Sequence, residues 1–164
     1  KVRAELLDEG LDIITRLWAG EPFGYNGIHY QISPPPYPHP APVQKPRIPI
    51  WVVGMWPHEK SVKRALRWDG WVTATQKTDG PGFAPITPDD IREMKAYVDA
   101  NRPVAEPFDI VVEGESPLGD PQQAAAHVRS YAEAGATWWI ESLWEHPQFT
   151  YLEARLRQGP PSIR

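Results

Sequence analysis

The residues best suited to chemistry stand where apolar runs end. Gly54 closes the run Ile48-Pro49-Ile50-Trp51-Val52-Val53, and Pro57 opens a helix pattern just after it. A glycine at a strand-to-helix turn bares backbone N–H groups at the positive end of a helix dipole, which suits a phosphate; a tight turn alone also asks for glycine. Thr75 and Gln76 follow the next run, where a hydroxyl and an amide serve phosphate or polyol oxygens, or ordinary loop polarity. Glu113, Glu115 and Glu141 stand at the ends of the last two runs. A carboxylate acts as a general base when burial raises its pKa, but solvated or ion-paired loop acids are commoner. The histidines His29, His39, His58, His127 and His146 lack metal-ligand spacing, and there is no cysteine, so no metal is expected. His58, beside the Gly54 turn, reads as a surface histidine at a helix start.

The elements that must hold these residues are legible in order. Leu6, Leu7, Leu11, Ile14, Leu17 and Trp18 mark one face of a helix over residues 1–20, stopped by Gly20. Asn26-Gly27 between β-prone runs predicts a tight type I′ hairpin. The prolines crowded between Ser33 and Pro49 forbid helix and predict an extended connector on the protein's own surface, the alternative being a polyproline ligand for another module. Residues 48–164 then alternate strand and helix four times. The strands are Ile48–Val53, Trp71–Thr75, Phe108–Val112 and Thr137–Ile140. Thr87 with Pro88 and Asp90, and Asp120 with Pro121 and Gln123, are helix-start signatures. A last helix from Pro147 should bury Phe149, Leu152 and Leu156. Strands apolar on both faces read as buried parallel strands, so the fold class is α/β. Spacing alone leaves open a doubly wound sheet or part of an eight-stranded barrel, though no glycine-rich dinucleotide fingerprint follows the first run.

Composition narrows the partners. The 164 residues fit one domain, 1–164, divided as helix 1–20, hairpin and Pro-rich insertion 21–47, and βα units 48–164. A net charge of −4 with mixed signs argues against nucleic acid. No apolar run is long enough for a bilayer, so no membrane partner is expected, and the absence of cysteine fits a reducing cytoplasm, the expected compartment. The chain opens on a helix pattern at Lys1, which reads as the continuation of upstream sequence.

Four segments taken together carry a resemblance. They are Arg3-Ala4-Glu5-Leu6-Leu7-Asp8-Glu9-Gly10-Leu11 through Leu17-Trp18-Ala19-Gly20-Glu21-Pro22, Tyr25-Asn26-Gly27-Ile28-His29-Tyr30, Pro42 to Gly54, and Arg64-Ala65-Leu66-Arg67-Trp68-Asp69-Gly70-Trp71. Thr87-Pro88-Asp89-Asp90-Ile91 and Tyr131-Ala132-Glu133-Ala134-Gly135-Ala136-Thr137 extend it. In that order and spacing the chain resembles the luciferase-like monooxygenases, bacterial-luciferase-like flavin-dependent oxidoreductases. The resemblance implies a TIM-type eight-stranded barrel with an insertion that includes a hairpin, using FMN or a deazaflavin coenzyme on a small organic substrate. The chain would be its C-terminal half, a half barrel. It implies cofactor contacts at Gly54, Met55, Trp56, Thr75 and Gln76, although Met55 and Trp56 stand where the family usually has small residues and Pro57 removes a donor. Catalytic residues stay unassigned. Half a barrel has open strand edges, so either a homo-oligomer, in the simplest case a dimer, or a separate N-terminal half is expected. The alternative function is a non-catalytic half-barrel module that self-associates, and a Trp/Pro-rich interaction module is a third reading.

Overall fold

A computed structural model describes residues 1–20, 22–34, 40–78, 80–102, 106–144 and 148–163. Two compact units divide the chain, Lys1–Ile48 and Pro49–Arg164.

In the first unit, helix α1 (Val2–Ala19) ends at Gly20 in the left-handed conformation, φ 82°. Its buried residues are Leu11 and Ile13, while Leu7, Ile14 and Leu17 are exposed, so the apolar stripe expected from spacing is only partly used. Strands β1 (Tyr25–Asn26) and β2 (Gln31–Ile32) form the expected hairpin. Its turn is not type I′: neither Asn26 nor Gly27 has positive φ, and Gly27 N–H donates to Tyr30 O at 2.8 Å across a longer loop. The cause lies on α1. The Glu9 carboxylate accepts the backbone N–H groups of Ile28 (2.7 Å), His29 (3.1 Å) and Tyr30 (3.0 Å). A Cβ on Gly27 would fall onto that carboxylate, which is why glycine stands there. His29 Nε2 also lies 3.0 Å from Glu5 Oε2. Of the Pro-rich stretch, residues 35–39 lie outside the described residues, and residues 40–50 form no helix or strand.

The second unit is a mixed α/β layer. Strands β3 (Trp51–Trp56), β4 (Gly70–Gln76), β6 (Asp109–Gly114) and β7 (Trp138–Glu141) pair in parallel in chain order. An unforeseen short strand, β5 (Phe83–Ala84), pairs antiparallel with the end of β4. Helices α2 (Glu59–Ala65), α3 (Pro88–Asn101) and α4 (Pro121–Ala134) form the connections, and α5 (Phe149–Gln158) follows β7. The expected caps are present: Thr87 and Asp90 form a reciprocal box, Asp120 accepts from Gln122 and Gln123 N–H, and Gly135 stops α4 at φ 114°.

One sheet face carries the helices. Trp56 packs on Tyr97 of α3, Trp71 is fully buried, and Trp139 packs on His127 and Tyr131 of α4. Three indoles are seated in notches made by glycine. A Cβ on Gly54 would come within 2.5 Å of the Trp71 indole, one on Gly114 within 2.5 Å of Trp139, and one on Gly70 within 2.5 Å of Trp51. Burying an indole requires a partner for its N–H, and Trp71 Nε1 donates to Gly54 O at 2.7 Å. The other face is partly open to solvent: Val53 is 59% exposed and Trp138 52%, while Val111 is fully buried. There the rings of Trp51 and Trp138, from the outermost strands of the parallel path, meet at 5.2 Å. Adjacent Trp138 and Trp139 point to opposite faces, as the pleat requires.

The start of the strands is tied by acids. Asp69 Oδ2 accepts from Ile50 N–H at 2.6 Å, and Asp109 accepts from Trp51 Nε1 at 3.1 Å and from the Thr137 hydroxyl at 2.9 Å. Helix α5 corrects an expectation. Phe149, Leu152 and Leu156 are exposed, and its buried residue is Arg155; Pro147 lies outside the described residues.

Candidate functional site

Parallel βα units converge their loops at the C-terminal ends of the strands, and in barrels that is where sites are built. Here that end of the open face holds a hollow of about 270 Å³. Its floor is Val53, Val72 and Ala74, Glu113 stands on it, and Phe83 and Trp144 line it.

The five expected cofactor residues lie around this end, but not as a loop. Gly54, Met55 and Trp56 are inside β3, paired with Thr73, Ala74 and Thr75 of β4. The strand runs three residues further than the apolar run suggested because β4 continues to offer partners. Gly54 and Trp56 are turned to the helix side. Met55 N–H donates to Ser61 Oγ at 3.0 Å and Met55 O accepts from His58 N–H. The backbone donors expected to be bare are therefore engaged, and α2 starts only at Glu59. Thr75 lines the hollow, and its hydroxyl donates to Ala84 O at 2.9 Å. Gln76 ends β4, with His58 Nε2 3.4 Å from its Oε1.

The carboxylates separate into two kinds. Glu141 faces the helix side and is fully occupied. It accepts from Ser116 N–H (2.7 Å), the Ser116 hydroxyl (2.9 Å) and Trp139 Nε1 (3.0 Å). Arg155, 5% exposed, donates to Ser116 Oγ at 3.1 Å and also to Ser116 O, and its Nε lies 3.5 Å from Glu141 Oε1, an ion-pair distance rather than a hydrogen bond. Glu115 accepts from the Tyr151 hydroxyl, and that bond, with burial and the carboxylate's charge added, pushes the phenol pKa up. Glu141 and Glu115 are thus structural acceptors. Glu113 is the other kind: it lies on the open face, beside Ile140 of β7, with no hydrogen bond or ion pair among the described residues. Sequence reasoning grouped all three acids together; pleat parity on β7 puts Glu141 on the side of Trp139, but Glu115, two residues beyond Glu113, is set apart only by its bond to Tyr151 on α5.

A second hollow, about 220 Å³, lies at the opposite strand ends, where its charged residues Lys95 and Asp99 pair with each other and Arg102 pairs with Glu106. Among the described residues no group of three or more histidine, aspartate or glutamate side chains is placed to hold a metal, and no helix is long and apolar enough to cross a membrane.

A sequence profile of the luciferase-like monooxygenases matches residues 2–114, more than half of the chain, from α1 to the last residue of β6. The chain belongs to the luciferase-like monooxygenase family. No curated protein and no solved structure matches it significantly. Membership places it among oxidoreductases that generally use flavin-type cofactors. Within the luciferase-like match lie Gly54, Met55, Trp56, Thr75, Gln76 and Glu113; α4, β7 and α5 lie beyond it.

Proposed function

We propose that this chain is the C-terminal half of a TIM-type barrel in a flavin- or deazaflavin-dependent oxidoreductase, and that its open sheet face meets the cofactor and a small organic substrate. The match to the luciferase-like monooxygenases carries the reading. Strand order that follows the chain, with indoles packed on helices from one face only, supports it, since a doubly wound sheet carries helices on both faces. A bound flavin or deazaflavin supplies the redox chemistry. The chain's residues bind and orient. On the open side Met55 stands one residue before the end of β3 and Gln76 ends β4, with Thr75 of β4 paired to Ala84 of β5. Gly54 and Trp56 support them from behind, through Trp71. The apolar open face, on which Trp138 is half exposed, suits the ring of such a cofactor. The engaged donors at Met55 do not fit its phosphate, so the phosphate is not assigned to Gly54, Met55 and Trp56.

The open face, with Val53 and Trp138 half exposed or more, favours a second reading: a half barrel that self-associates as a binding or structural module. Absorbance and fluorescence titration with FMN, and separately with a deazaflavin coenzyme, separates the two. The enzyme reading expects saturable binding with a shifted flavin band. No binding of either cofactor, by this chain and by a full-length form, overturns it in favour of the module.

A further inference from the structure

The hollow at the strand ends is chemically one-sided. Val53 and Val72 make its floor hydrocarbon. Two aromatic rings line it, Phe83 at 66% exposure and Trp144 at 81%. Large exposed apolar side chains are ordinary when scattered; two beside one cavity mark a binding surface. The hydroxyls in its wall are spent: Thr73 donates to Val111 O and Thr75 to Ala84 O, each at 2.9 Å. Among the described residues the one ionisable side chain in the lining is Glu113, and it has no partner. The other two acids at these strand ends, Glu115 and Glu141, are held by Tyr151, Ser116, Trp139 and Arg155.

We propose that this hollow selects a small apolar cation, an aryl- or alkylammonium group. The positive charge meets the Glu113 carboxylate and the π faces of Trp144 and Phe83, and the hydrocarbon part covers Val53 and Val72. A lone carboxylate and aromatic quadrupoles attract the same sign of charge, so the two features agree on the ligand. An anion of equal shape is repelled by Glu113 and finds no cation in the lining. The inference rests on reading this face as the substrate-bearing one, and is independent of which cofactor is used.

The chain titrated with phenethylammonium, phenethyl alcohol and phenylacetate, followed by ligand-observed NMR at low salt, tests it. The ammonium compound is expected to bind about five-fold more tightly than the alcohol, and phenylacetate not to saturate. Glu113→Gln should abolish the preference with the fold kept, because Glu113 has no hydrogen bond or ion pair among the described residues. Trp144→Ala should weaken the ammonium compound further. Equal binding of all three, no saturable ammonium binding, or a preference that survives Glu113→Gln overturns the inference. The FMN and deazaflavin titrations run in parallel. Ammonium selectivity with no binding of FMN or of a deazaflavin, by this chain and by a full-length form, removes the oxidoreductase reading alone; cofactor binding without selectivity removes the cation site alone.

Discussion

At the scale of residues, the chain solves an unusual packing problem with glycine. Tryptophan is the bulkiest side chain, and a sheet that carries several on neighbouring strands needs places to lay them flat. Gly54, Gly70 and Gly114 are those places. For Gly54 and Gly114 the indole comes from the adjacent strand, two residues before the directly paired position, on the helix side. Gly54 is therefore a steric requirement first, whatever it does for a cofactor. Gly54→Ala should cost about 1–3 kcal/mol, the usual penalty for overpacking a tight core, because the new methyl meets the buried Trp71 ring. Urea unfolding of the variant checks this, and an unchanged midpoint would contradict the notch. Gly10, with open space around it, is the control: alanine there should be neutral or mildly stabilising.

At the scale of elements, a single acid shapes the hairpin. Partial desolvation pushes the Glu9 carboxyl up, but the N–H groups of His29, Ile28 and Tyr30 together outweigh it and hold its pKa below the ordinary value of 4.5. A carboxyl whose folded pKa lies below its unfolded one adds stability that is fully present above the unfolded value and is lost as pH falls through the folded one. The hairpin turn is thus expected to keep its form at neutral pH and to loosen on acidification below 4.5. Amide shifts of Ile28, His29 and Tyr30 followed by NMR should move together with one acidic midpoint, and Glu9→Gln should erase that transition. The same feature explains what was readable beforehand. Caps at Thr87, Asp120, Gly20 and Gly135, and all four parallel strands, depend on residues within a few positions of one another and were legible. The turn at Gly27 depends on an acid on α1, the strand character of Gly54 on its pairing with Thr73, and the burial of Arg155 on Ser116. Such partners leave no periodic trace. At the candidate site, strand ends and acids were visible, but which acid is free depends on pleat parity and on who else arrives.

At the scale of the whole molecule, the open sheet face dominates. Val53 and Trp138 are too exposed for a face of hydrocarbon to stay wet without cost. In the half-barrel reading that face is closed by another copy or by a separate N-terminal half. Light scattering of the isolated chain at micromolar concentration is expected to report a species larger than one chain, and Trp138→Glu to return it to monomer; a stable wild-type monomer would refute self-association. Helix α5 is fastened quite differently. Its large apolar side chains Phe149, Leu152 and Leu156 are exposed, and polar contacts hold it, with the Arg155 guanidinium on Ser116 and Glu141 at their centre. Tyr151 on Glu115 and Gln158 on Gly119 N–H and Pro117 O add further polar ties. It is bolted on, where the other helices are glued. Glue softens in the cold, because hydrophobic attraction weakens on cooling, while a bolt of charge and hydrogen bonds does not. Releasing it would bare little new apolar surface, so its detachment is expected to cost mainly these polar contacts.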